Sequence, residues 1–270
     1  VTKNSKLAAW LTLLAFLVAF AAVYAAVKYV QALLMPHIPL EGPREIAAFR
    51  GASGVVLVWA ELGATLLVMR LRGQTLADLG WWKSSSIWGW LAAFVAVVVY
   101  AGFALMGPML KGAPLLTDWS AFRIAMALGI GISAGICEET MFRGFVMRQA
   151  RDGGAPVVIQ VLLSTLFFGL AHLGWGGAGG RFDLPSMIGA MISTSILGLM
   201  LAIAYAVGRR SLIPVVAAPP AIDNIIQPRV VEGGRRFSTP GVAPPAPLDM
   251  IIEPWLMLFA VSGGFQRLTH

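Results

Sequence analysis

A chain of 270 residues with 58% hydrophobic and only 12% charged side chains, and a mean hydropathy of +0.78, does not have the composition of a soluble domain, where about a quarter of residues are charged. Its net charge of +7 does not point to nucleic acid, because Lys and Arg are scattered through short connections between apolar runs and build no continuous basic face. The single cysteine, Cys137, excludes an internal disulfide and supplies no metal motif.

Apolar stretches lie at 7–34, 54–71, 87–110, 122–150, 155–173, 185–207, 211–226 and 249–262. Most are near the about 20 residues that cross a bilayer. The expected fold is all-α: one polytopic membrane domain over 1–270, with about eight transmembrane helices around a buried polar site. The first stretch follows Lys3 and Lys6 as a secretory leader would, but it stays apolar as far as Met35. A leader's apolar region ends after about 7–15 residues, so this one reads as a spanning helix. The second stretch carries Glu61. The segment QTLADLGWWKSSSIWGW at 74–90 reads as interfacial, its tryptophans 81, 82, 88 and 90 suited to the headgroup layer. Residues 227–248, rich in Pro, Gly and charge, read as an extramembrane loop. With the N-terminus in the cytoplasm, which is the expected orientation, the cations divide almost evenly between the two sides.

The fourth stretch contains ICEETMFRGF at 136–145. Residues four apart share a helix face, so Glu139 and Arg143 can pair, while Glu138 points about 100° away. One carboxylate is then held ionised and its neighbour is left to face a cavity as a general base. Ionisable groups at membrane depth usually face the bundle interior or a wet cavity, although a purely structural ion pair would look the same. The fifth stretch ends in LFFGLAHLGWGG at 166–177, where His172 follows Phe168 by one turn. A lone histidine is more often a satisfied core residue. With a carboxylate on a neighbouring helix, it could bind and polarise one water. Gly129, Gly131 and Gly135 are expected to let helices pack closely around the site. Ser193, Thr194 and Ser195 read as small polar residues at a helix contact, and GWGGAGG at 174–180 is not a phosphate loop.

EETMFR resembles the EExxxR motif, and FGLAH the FxxxH motif, of the CPBP family of intramembrane proteases. That family includes the type II CAAX prenyl endopeptidases and bacteriocin-processing proteins. The likeness extends to TLADLGW at 76–82 and to ILGLMLAIAYAVGRRSLIP at 196–214, so a family-like core covers about 70–226. The resemblance implies a multi-pass integral protein, expected in a bacterial inner membrane, that hydrolyses a peptide bond near the membrane surface. It implies that Glu138 activates water with help from His172, while Glu139, Arg143 and Phe168 support the site. A third family motif, HxxxN or HxxxD, falls on SLIPVVAAPPAIDNII, where Pro219 or Pro220 stands in place of the histidine and Asp223 or Asn224 ends the motif. Proline carries no proton donor and no ligating nitrogen. A tightly held zinc takes about three protein ligands, so no cofactor is expected and zinc is disfavoured. The expected partners are membrane lipid and a membrane-associated peptide or protein substrate, and no nucleic acid. The alternative is a catalytically impaired relative, a pseudoenzyme serving as chaperone, assembly factor or subunit of a larger membrane complex. A small transporter is a third reading, for which no repeat speaks.

Overall fold

The structure is a computed structural model that describes residues 3–34, 37–38, 43–110, 121–173 and 184–219. The expected loop at 227–248, the last apolar stretch and the candidates Asp223 and Asn224 lie outside the described residues. The described chain is helical and contains no strand: α1 (Lys3–Leu34), α2 (Pro43–Leu71), a single turn α3 (Leu76–Leu79), α4 (Ile87–Leu110), α5 (Ala121–Glu139), a π-helical segment (Thr140–Val146), α6 (Met147–Asp152), α7 (Val157–Ala171) and α8 (Leu184–Val207). Residues 213–219 form a further short helix, α9.

This is a polytopic helical bundle, as composition predicts. Ser5–Leu34, Gly51–Leu71 and Met187–Val207 are long and apolar enough to cross a membrane, and Ile87–Phe103 and Val157–Ala171 are shorter apolar helices. The outward faces are apolar. Leu7, Leu11, Leu14 and Val18 of α1, and Phe94, Val95 and Val98 of α4, are exposed, as suits helices whose surroundings are lipid tails. Lipid is as apolar as leucine, so close packing and interhelical hydrogen bonds must hold such a bundle.

Both devices are visible. Gly89 of α4 crosses Gly208, just after α8, so closely that a Cβ on Gly89 would lie 2.5 Å from the Gly208 Cα. At one end the loop after α3 locks onto the turn after α8. Ser86 Oγ donates to Val207 O at 2.7 Å, Ser211 Oγ to Lys83 O at 2.8 Å, and Leu212 N to Gly80 O at 3.2 Å. Gly80 has φ of 102°, and a Cβ there would strike the Arg210 carbonyl oxygen, so both the conformation and the space require glycine. Tyr205 Oη donates to Leu79 O at 2.8 Å across the same junction.

Two sequence expectations need correction. Trp82, Trp88 and Trp90 are exposed as interfacial residues should be, but Trp81 turns inward and donates Nε1–H to Thr140 Oγ1 at 3.0 Å. Its indole has a buried acceptor to satisfy it, which outweighs the headgroup layer. Gly129 does not mediate close packing either: it is exposed, and nothing lies within 4 Å of a Cβ placed on it.

Candidate active site

The fourth apolar stretch is one helical run whose middle changes geometry. After Glu139 the α-helix widens into a π segment, Thr140–Val146, whose seven residues are all buried. Such wide turns occur as short insertions in α-helices and cluster at functional sites. Here the segment lies between α3, α5, α6 and α7. Its Phe142 carbonyl accepts Ser164 Oγ–H at 3.0 Å, which ties it to α7.

Arg143 sits in this segment, fully buried. Its Nη1 lies 2.9 Å from Glu139 Oε1, the i,i+4 pair that the spacing predicts. Its Nη2 donates to Gly198 O on α8 at 3.2 Å, and its guanidinium carbon stands 4.2 Å from the centre of the Phe168 ring. A buried guanidinium without such contacts would cost several kcal/mol. Here carboxylate, carbonyl and aromatic face surround it from three helices. Gly198 leaves room for the Phe168 ring, because a Cβ there would already lie 3.0 Å from Phe168 Cδ1.

Phe168 links the ion pair to the imidazole. Its ring packs edge-on to Phe142 at 5.3 Å and tilted to His172 at 4.7 Å, and its carbonyl oxygen lies 2.7 Å from His172 Nδ1. A carbonyl can only accept, so Nδ1 carries the proton, and in the neutral ring Nε2 keeps its lone pair. That Nε2 lies 4.0 Å from Glu138 Oε1, and the two side chains are 13% and 16% exposed. The distance exceeds a hydrogen bond but lets one small oxygen species touch both groups. Of the five described candidates, Glu139, Arg143 and Phe168 are buried, while Glu138 and His172 are partly exposed.

Residues 119–218 match the family model described as type II CAAX prenyl endopeptidase Rce1-like. The resemblance drawn from EETMFR and FGLAH is thereby borne out, and it concerns a family of protein hydrolases. With the apolar helices, the match describes an integral membrane protein. No curated protein and no solved structure matches the chain. The Rce1-like segment contains Glu138, Glu139, Arg143, Phe168 and His172, and it ends one residue before Pro219. Pro219 is half-buried at the end of α9.

Neither Gly198 nor Ser164 stands out in the sequence, since a glycine or serine in an apolar helix gives no sign of which face it occupies. Gly169 belongs with them: a Cβ there would meet Ser195 Oγ and, at 2.9 Å, Met191 O, so α7 and α8 touch beside the site. Among the described residues, no group of three His, Cys, Asp or Glu side chains is arranged to hold a metal ion.

Proposed function

We propose that this protein is an intramembrane endopeptidase of the CAAX type, cutting a prenylated or otherwise membrane-anchored peptide near the membrane surface of a bacterial inner membrane. The observation that carries the reading is the Glu138–His172 pair at 4.0 Å, partly exposed, with the imidazole fixed in one tautomer by the Phe168 carbonyl. Glu138 takes one proton from the attacking water, and the lone pair of His172 Nε2 accepts the other O–H of that water and so orients it. Glu139 and Arg143 hold the π segment in register and bring Glu138 to the opening. Asp223 or Asn224 completes the substrate-carbonyl contact. No metal or other cofactor takes part.

The test uses full-length protein in liposomes with a farnesylated peptide ending in Cys-aliphatic-aliphatic-X, cleavage being read by mass spectrometry. Glu138→Gln and His172→Ala should each lower the rate by roughly 10²–10⁴. Cleavage that persists in both variants overturns the mechanism.

A second reading rests on Pro219, which offers no donor where the family motif expects histidine. There the same bundle serves as an assembly factor or subunit in a larger membrane complex. An inert purified wild-type protein that captures a defined membrane partner, equally well with Glu138→Gln, would favour it.

A further inference from the structure

A base and an imidazole start peptide hydrolysis, but the reaction finishes only when the departing nitrogen acquires a proton. Among the described residues, one buried acid is left over outside the matched segment. Glu61, on α2, is 4% exposed, and its Oε1 has no hydrogen-bond partner among the described residues. An unsatisfied carboxyl at membrane depth is costly, and such groups face the interior or a cavity because something there uses them.

The packing places it beside the site. α2 lies against α5 and the π segment. Trp59 Nε1 donates to Ser133 Oγ at 3.1 Å, which ties α2 to α5. Glu61 shares the buried face of α2 with Leu57, Leu62, Thr65 and Met69. Glu61 and Glu138 act on each other electrostatically, and Cys137, next to Glu138, senses both. Lys28 and Tyr24 of α1 are also within electrostatic reach of Glu61, and Lys28 Nζ lies 3.4 Å from Gln31 Oε1.

We propose that Glu61 is a further catalytic residue, the acid that protonates the leaving nitrogen. The proposal rests on the hydrolase reading above. One water O–H bond breaks, its proton passing to Glu138, as the water oxygen bonds to the carbonyl carbon. The C–N bond then breaks, its electron pair goes to nitrogen, and nitrogen takes the Glu61 carboxyl proton. The proton held by Glu138 returns to Glu61 before the next turnover, so the sum is one peptide bond and one water giving one acid and one amine.

Leaving-group dependence tests this, because the ratio of two substrates does not change with the amount of protein that folds. The probes are the farnesylated peptide and the 4-nitrophenyl ester of the same farnesylcysteine, whose leaving phenolate departs unprotonated. Glu61→Gln should slow the peptide by roughly 10²–10⁴ and the ester by less than about tenfold, whereas Glu138→Gln slows both. Equal loss on both substrates makes Glu61 structural and overturns the proposal, as does undiminished peptide cleavage. A wild-type protein that cuts neither probe removes the hydrolase reading, and this one with it.

Discussion

Arg143 and Arg148 are five residues apart on one helical run, and their guanidinium groups sit in different media. Arg143 is sealed, with one carboxylate at 2.9 Å, one carbonyl and one aromatic ring for company. Arg148, 19% exposed, meets Asp78 Oδ1 and Asp152 Oδ2, each at 3.2 Å, and donates to Asp78 O at 2.8 Å. Arg148 has two carboxylate partners to the one of Arg143. The energetic order is the reverse. Water can replace any partner Arg148 loses, and exposed pairs contribute about 0–1 kcal/mol. Nothing can replace Glu139 for Arg143, and a buried charge left alone costs about 3–5 kcal/mol.

The largest expected effect follows from that asymmetry. Arg143→Ala or Glu139→Ala should each lower the melting temperature in detergent by roughly 10 °C, taking about 2–4 °C per kcal/mol. Replacing both, as Arg143→Met with Glu139→Leu, should recover much of the loss without restoring cleavage. Single variants that melt like wild type would mean that the pair is not sealed.

A middle-sized effect is expected where α7 meets α8. Gly169→Ala would press on Ser195 Oγ and on the Met191 backbone carbonyl, an overpacking worth about 1–3 kcal/mol. Because His172 is three residues further on, cleavage should fall more than stability does. Gly198→Ala asks only that the edge of Phe168 give by a few tenths of an ångström, so its melting shift should be the smaller of the two. The opposite order would place the tight contact at Phe168.

The smallest effects belong to the Arg148 end. Asp78 accepts from Thr75 N–H at 2.8 Å and from Thr75 Oγ–H at 3.0 Å. Those bonds, backbone first, with Arg148 beside them, hold its carboxyl below the usual aspartate range. A depressed folded-state value means a contribution present in full above the unfolded aspartate range, about pH 3.9, and lost as pH falls through the folded value. Wild type should therefore lose slightly more stability than Asp78→Asn between neutral pH and pH values below about 4. Parallel melting curves would remove Asp78 as an anchor. Arg148→Ala should cost no more than about 1 kcal/mol at neutral pH.

Periodicity and hydropathy made six long helices legible, because a bilayer demands a minimum apolar length that composition cannot hide. The Glu139–Arg143 contact was legible from its four-residue spacing, and the family from two short motifs. The π segment was not, since nothing in TMFRGFV separates a π turn from an α turn. Trp81 was read with its neighbours as interfacial although a threonine 59 residues away binds it. Gly198 was invisible because its part is to lack a side chain where the Phe168 ring packs. Glu61 was seen in the sequence, but only the packing of α2 on α5 brings it to the other acids.

The wide turn at 140–146 also acts as a phase shift. It sets the angular offset between everything upstream and everything downstream, so Glu138 can face His172 while Arg148 meets Asp78 on α3. Deleting one residue from it would let an ordinary helix run through, swinging one end by about 100° relative to the other. A chain shortened that way would have every side chain named here and could not aim both ends at once.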